Sequence, residues 1–193
     1  MSRLRKLMKR FLAPAIVRGR GFARDERGVT AIEFGILAVP FFTIILATLE
    51  TAIMFLGMQV LDSALEDATR MVRTGRAQAA GYDATTLRNY MCDYTFRLFN
   101  CNNIQLRVEV LPDFGSVVIN PVVQTCTPVV NPTTCTFTTP PAYNAGTARQ
   151  VVQVSAYYRW PLMFAIPWFS LKNQPDNYFL MSAIRVFRNE PFS

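Results

Sequence analysis

Residues 29–61 read VTAIEFGILAVPFFTIILATLETAIMFLGMQVL, an apolar tract in which the only charged residues are Glu33 and Glu50. A bilayer core of about 30 Å requires about 20 helical residues, so this tract is long enough to span a membrane. A buried helix of a soluble domain is the alternative, but the tract is too long and too apolar on all faces for a domain of this size. The tract therefore predicts a single transmembrane helix.

The charge before this tract predicts its orientation. Residues 1–28 contain nine of the 20 Lys and Arg residues and two acids, so they carry the whole formal charge of +7. Basic residues directly before a span keep the N-terminus in the cytoplasm, and the chain after the span then lies outside the inner membrane. A secretory signal peptide is the competing interpretation. It fits poorly, because the tract far exceeds the usual h-region of about 7–15 residues and no small-x-small cleavage site follows.

The composition excludes several functional classes. Histidine is absent from the chain, which removes His-based triads, His general bases and most His-containing zinc sites. The confinement of basic charge to one end disfavours a nucleic-acid-binding face. Walker A, Rossmann, G-x-S-x-G, H-E-x-x-H and EF-hand patterns are also missing. We therefore predict a protein that is not an enzyme, with no cofactor, metal, nucleic acid or small-molecule substrate.

The residues after the tract continue the helical pattern. Apolar residues recur every three or four positions from Leu61 to Val72, which predicts a helix that runs unbroken from about Thr30 to about Gln78. A second helix is predicted from Ala84 to Phe99, with Asp83 as its N-cap.

The rest of the chain predicts a small antiparallel sheet. Strands are expected at residues 104–110, 116–120, 150–160 and 178–188, with a turn at 114–115. The last strand is apolar on both faces, as expected at the centre of a sheet. Residues 161–169 predict a loop with aromatic anchors, and an aromatic surface dipping into lipid is one interpretation of it. The predicted fold class is α+β and pilin-like: a long N-terminal transmembrane stalk helix, a second helix and about four antiparallel strands.

Four cysteines lie beyond the predicted span: Cys92, Cys101, Cys126 and Cys135. In an oxidising compartment an even number of cysteines predicts two disulfides, for which three connectivities are open. The two equal separations of nine residues favour Cys92–Cys101 and Cys126–Cys135. A zinc site and a redox-active pair are the alternatives, disfavoured by the lack of C-x-x-C and of histidine. The second pair lies in the Pro- and Thr-rich stretch 120–141, which is either a solvated connection or a recognition surface.

The junction Arg27-Gly28-Val29-Thr30-Ala31-Ile32-Glu33-Phe34, followed by the apolar tract, resembles the processing and assembly region of type IV pilin-like proteins. More narrowly, the chain resembles the TadE-like minor pseudopilins of the tight-adherence (Flp) pilus system. The stretches that carry this narrower resemblance are residues 29–34, 48–50, 68–75 and 187–192. The resemblance covers roughly residues 24–80 and the C-terminus, and it is weak in between.

This resemblance implies specific roles for residues at the junction. A prepilin peptidase would cut between Gly28 and Val29 on the cytoplasmic face and leave a new α-ammonium on Val29. Glu33 then becomes the fifth mature residue, which in pilins is thought to pair with the α-ammonium of a neighbouring subunit. The resemblance thus implies that Glu33 and Phe34 act in subunit assembly, whereas an ordinary interfacial carboxylate is the alternative for Glu33. For Glu50 two interpretations stay open, a carboxylate at the outer membrane interface and a buried contact with a partner subunit.

The expected organisation is a basic cytoplasmic leader (1–28), a transmembrane helix (29–61), a periplasmic continuation of the stalk helix (62–80) and a periplasmic α+β domain (81–193). The resemblance implies a minor pilin of the bacterial inner membrane that takes part in assembly of tight-adherence pili and in surface attachment. Its expected partners are the inner membrane, the prepilin peptidase and other pseudopilins and pilin subunits. The cell surface or the pilus is its further expected location. The alternative is an uncleaved, signal-anchored periplasmic binding module.

Overall fold

The computed structural model describes residues 28–117, 124–127, 134–137, 142–164, 170–174 and 177–192. Residues 124–127 and 134–137 are described by their backbone alone. The chain divides into two compact units, residues 1–46 and 47–193.

The first unit is helical over nearly all of its described residues. Helix α1 begins at Val29 and ends at Arg73 in the second unit. In the first unit its large apolar side chains are exposed, including Phe34 at 68% and Leu37 at 69%. By length and composition, α1 is the one helix of the described chain that could cross a membrane. The predicted α+β class with a long apolar N-terminal helix is confirmed.

The second unit contains the rest of α1 and two shorter helices, α2 (Arg76–Ala79) and α3 (Ala84–Asp93). The predicted apolar stripe of α1 is confirmed, because its members are buried: Leu61, Ala64, Leu65, Ala68, Met71 and Val72. The prediction of an unbroken helix to about Gln78 is wrong. The helix ends at Arg73 because Gly75 adopts a left-handed φ of 78°, which glycine tolerates without a Cβ clash and which terminates helices.

Helix α3 begins where the sequence predicts. The Asp83 carboxylate accepts hydrogen bonds from the backbone N–H and the hydroxyl of Thr86, each at 2.7 Å, which confirms the predicted N-cap. These hydrogen bonds lower the pKa of the Asp83 carboxyl below its ordinary value. A carboxyl with a lowered folded-state pKa stabilises the fold above its unfolded pKa, and that contribution is lost as the pH falls through the lowered value.

The end of α3 differs from the prediction, because the helix stops at Asp93 and not at Phe99. Cys92 and Cys101 form a disulfide with Cα atoms 5.8 Å apart. Nine residues of continuous helix would place these Cα atoms about 13 Å apart, so the helix must end for the disulfide to close. The chain reverses through Phe96 and Arg97, whose φ angles are 52° and 59°.

Among the described residues, five strands follow in two sheets. They are β1 (Gln105–Leu111), β2 (Gln124–Thr127), β3 (Thr134–Phe137), β4 (Val151–Pro161) and β5 (Tyr178–Arg188). The larger sheet has the antiparallel order β1-β4-β5, and β2 pairs with β3 in a separate two-stranded sheet. In the described part of the chain, the predicted sheet of about four strands therefore has three. Residues 114–116 form a 3-10 turn, and 118–120 of the predicted second strand lie outside the described residues.

The central strand is β4, whereas the sequence pattern predicted β5 in that position. Val154 of β4 lies opposite Val108 on one side and Arg185 on the other. Two polar residues gave β4 the appearance of a half-exposed strand, although both are buried. The two are hydrogen-bonded inside the fold, because the Gln153 side-chain amide donates to the Ser155 hydroxyl at 3.2 Å.

Candidate functional site

The residues implied in processing and assembly lie in the first unit and are accessible. Gly28, Val29, Glu33 and Phe34 are all exposed, and α1 begins at Val29. An exposed Gly28 meets the requirement that the backbone at a cleavage site can enter a protease cleft without side-chain obstruction. The processing and pairing roles of these residues remain predictions.

Glu50 forms a second site, which neither interpretation of the sequence described. Its side chain is buried, with 4% exposure, inside the second unit of its own chain. One carboxylate oxygen, Oε1, accepts hydrogen bonds from the backbone N–H groups of Met163 and Phe164, the latter at 3.1 Å. Burial of a carboxylate is costly unless hydrogen bonds compensate, and backbone N–H donors supply that compensation here.

The loop that Glu50 binds is held from a second direction. The backbone N–H of Leu162 donates to the Asn177 carbonyl at 3.0 Å, and the Asn177 side-chain amide donates to the Leu162 carbonyl at 2.9 Å. Asn177 has a left-handed φ of 61°, a conformation that asparagine adopts more readily than most residues. Residues 162–164 are thus fixed against α1 by Glu50 and against the start of β5 by Asn177.

A third site joins two stretches that carry the family resemblance, residues 68–75 and 187–192. The backbone N–H of Glu190 donates to the Arg73 carbonyl at 2.9 Å, and the Glu190 carboxylate lies 3.5 Å from the Arg73 guanidinium. The Phe192 ring packs directly against Gly75. Asn189 is buried and donates to the carbonyls of Ala145 and Thr147. We call this arrangement of residues 189–192 on 73–75 the C-terminal clasp.

An ion-pair cluster links β5 to the part of α1 that is C-terminal to Glu50. The Arg185 guanidinium contacts the carboxylates of Asp62 and Glu66, the latter at 2.9 Å. These carboxylates raise the pKa of Arg185 above its ordinary value. All three side chains are partly exposed, so the cluster contributes to orientation more than to stability.

The structure describes one of the two predicted disulfides in full and only the backbone of the other. Cys92–Cys101 is formed as predicted. In the two-stranded sheet Cys126 lies opposite Cys135 in the backbone register, while the side chains of both lie outside the described part of the chain. The Cys126–Cys135 bond therefore stays a prediction. Among the described residues, no cluster of three Cys, Asp or Glu side chains could hold a metal ion.

We expect that loss of the first disulfide destabilises the second unit. Replacing both Cys92 and Cys101 with Ser should lower its free energy of unfolding by roughly 2–3 kcal/mol, because the unfolded chain loses a cross-linked loop. Urea unfolding of the full chain in detergent, followed by near-UV circular dichroism, measures this change. The single Cys92→Ser variant should lose a similar amount of free energy of unfolding, because it also lacks the disulfide. A double variant as stable as the parent protein would contradict the expectation.

Comparison with known proteins gives one match. Residues 28–70 match the family model described as TadE-like protein. No curated protein and no solved structure matches the chain. The matched residues begin at Gly28 and include Glu33, Glu50 and most of the buried stripe of α1. Residues 28–70 are thus similar to the TadE-like family, which confirms the resemblance predicted from the sequence.

Proposed function

We propose that this protein is a membrane-anchored minor pilin that takes part in assembly of tight-adherence pili and in surface attachment. The observation that carries the proposal is the coincidence of two boundaries. The TadE-like match begins at Gly28, and the apolar helix α1 begins at the next residue, Val29. A peptidase cut between them would release the basic leader and leave a subunit that begins directly with its membrane helix. TadE-like pilus proteins are structural components and not enzymes.

The proposed topology follows from charge and burial. The leader (residues 1–28) lies in the cytoplasm, because basic residues are retained on that side, and the α+β domain lies in the periplasm. The first buried residue of α1 is Glu50. The stretch from Val29 to Leu49 measures about 30 Å as a helix, which is the thickness of a bilayer core. We therefore propose that the span ends near Leu49, and that the helix from Glu50 onwards supports the domain.

N-terminal sequencing of the protein extracted from membranes tests the processing step. In cells with an active prepilin peptidase we expect Val29 as the first residue, and in cells without that peptidase we expect the leader to remain. An intact Met1 in the presence of the peptidase would overturn the processed form. Fractionation of sheared filaments separates the two functions: retention in the inner membrane alone would favour the uncleaved binding module.

The exposed carboxylate of Glu33 provides a test of assembly. We expect Glu33→Gln to abolish or strongly reduce piliation, because the amide cannot form an ion pair with the α-ammonium of a neighbouring Val29 in a low-dielectric environment. Glu66→Gln is the matched control, since Glu66 is an exposed carboxylate on the same helix. Pili counted by electron microscopy in both strains, at equal protein levels, give the result. Equal piliation in the Glu33→Gln and Glu66→Gln strains would exclude an essential charge pair.

A further inference from the structure

The exposed side of α1 changes its chemistry within the second unit. Three large apolar side chains are exposed before Gly57: Leu49 at 54%, Phe55 at 55% and Leu56 at 57%. After Gly57 the exposed positions of the helix are all polar, namely Gln59, Ser63, Glu66, Arg70 and Arg73. The helix therefore passes from an apolar to an aqueous environment near residue 57, about 10 Å beyond Glu50 along its axis.

The opposite side of the same helical turns is already covered by the sheet. Glu50, Met54 and Gly57 are buried. A Cβ added to Gly57 would lie 3.2 Å from Cζ3 of Trp160 and 3.3 Å from Cε of Met181. Between Glu50 and Leu56, one side of the helix thus packs against folded protein while the other exposes large apolar groups.

A loop from the far end of the chain adds to this exposed surface. Met163 is 60% exposed, and its backbone N–H is bound by Glu50. This hydrogen bond fixes an apolar side chain at the level of the first turn of α1 in the second unit. We call the four exposed side chains Leu49, Phe55, Leu56 and Met163 the apolar collar.

We propose that the apolar collar is inserted into the lipid interface of the membrane, so that this end of the domain is partly embedded. The inference rests on the proposed membrane anchoring and extends it from the helix to the folded domain. Exposed apolar side chains grouped at one end of a unit mark a site of interaction with a protein or a membrane. Leu49 is the last residue of the uncharged run that begins at Phe34, and Phe55 and Leu56 follow it within two turns of the same helix. Lipid that surrounds the run is therefore the nearest apolar environment for the collar.

The depth and the charges of this region agree with an interfacial position. Interfacial segments bury their apolar face about 5–10 Å into the headgroup and acyl boundary, and the stretch from Glu50 to Leu56 rises by about 9 Å. Glu50 is the one acid at this level of the helix, and its hydrogen bonds to the loop prevent it from entering lipid as an unpaired charge. At the same end of the sheet, the Arg159 guanidinium lies 4.2 Å from the centre of the Tyr178 ring. Aromatic and cationic side chains of this kind are typical of membrane interfaces.

Photo-crosslinking of the full chain in phospholipid vesicles tests the proposal. We replace Phe55, Met163, Ser63 and Ile44 one at a time with p-benzoylphenylalanine, which reacts with C–H bonds of whatever molecule lies next to it. Ile44 lies in the proposed span and is the positive control, whereas Ser63 is the matched polar control on the exposed side of α1. All four positions are exposed, so the substitutions leave the core intact. We expect lipid adducts at Phe55 and Met163 with yields close to that at Ile44, and background yield at Ser63.

Each other outcome overturns the inference in a distinguishable way. Lipid adducts at Ile44 without adducts at Phe55 and Met163 would leave the anchor in place and reject the embedded collar. Adducts of Phe55 or Met163 with a second copy of the chain would assign the collar to contacts between subunits. Absence of lipid adducts at Ile44 itself would reject the membrane anchor, and with it the collar. Equal lipid yields at Ser63 and Phe55 would reject a boundary near residue 57.

Discussion

Replacing Glu50 with Ala is expected to lower the free energy of unfolding of the second unit by about 2–4 kcal/mol. The substitution leaves the part-buried N–H groups of Met163 and Phe164 without their acceptor, and each loss costs about 1–2 kcal/mol, the lower part of the range for an unsatisfied donor. It also removes most of a buried side chain, since Glu50 is only 4% exposed. Urea unfolding of the full chain in detergent micelles, monitored by near-UV circular dichroism, measures the loss.

Glu50→Gln distinguishes the contribution of the hydrogen bonds to stability from that of the negative charge. The amide oxygen of glutamine still accepts from both N–H groups, so we expect this variant to lose only about 1 kcal/mol, the charge-assisted part of the interaction. Glu66→Ala is a control for loss of an exposed carboxylate from the same helix and should change stability by less than about 1 kcal/mol. If Glu50→Ala were no more destabilising than Glu66→Ala, the contact between Glu50 and the loop would have no energetic role.

The Glu50 contact marks a limit of what the sequence reveals. An acid in an apolar tract signals that it needs a partner, and the sequence offered the membrane interface or a second subunit. The actual donors are two backbone N–H groups that lie 113 and 114 residues further along the chain. Backbone donors carry no signature in the amino-acid sequence, so only the fold could identify them. The same is true of Asn177, whose role depends on the carbonyl of Leu162.

Local signals predicted much of the rest. The start of α1, the Asp83 cap, the three long strands and the Cys92–Cys101 disulfide follow from periodicity, capping chemistry and cysteine spacing. The order of the strands did not follow from these signals. Gln153 and Ser155 are hydrogen-bonded to each other inside the fold, whereas in the sequence they look like residues of an exposed face. Alternation of polarity predicts burial only when the polar residues lack partners inside the fold.

The end of α1 depends on a local residue, Gly75, and on a residue distant in the sequence, Phe192. Gly75 is a standard helix terminator, but glycines also occur at 57 and 81, and sequence alone does not decide which of them ends the helix. At Gly57 the missing side chain makes room for Trp160. At Gly75 the left-handed φ and the Phe192 ring act together, and Phe192 lies in the C-terminal stretch that also resembles the family.

We expect Gly75→Ala to destabilise the second unit by about 2.5–5 kcal/mol. Two costs add here. A residue with a Cβ at a φ of 78° costs about 1–2 kcal/mol. The new Cβ would also lie 2.7 Å from Cδ1 of Phe192, so the ring must leave its place and the C-terminal clasp must open. Displacement of a packed phenylalanine ring costs about 1.5–3 kcal/mol of apolar burial. Urea unfolding in detergent gives the total.

Gly81→Ala isolates the backbone part of this effect. Gly81 has a similar φ of 66°, but a Cβ built there meets no atom within 4 Å. We therefore expect Gly81→Ala to cost only about 1–2 kcal/mol. In a chain that already carries Phe192→Ala, Gly75→Ala should cost the same as Gly81→Ala, because the ring is gone and the left-handed φ remains. Since contacting residues are coupled and distant ones are additive, this double-mutant cycle assigns the difference to the clasp. An equal cost of Gly75→Ala with and without Phe192 would mean that the C-terminal ring does not hold the end of α1.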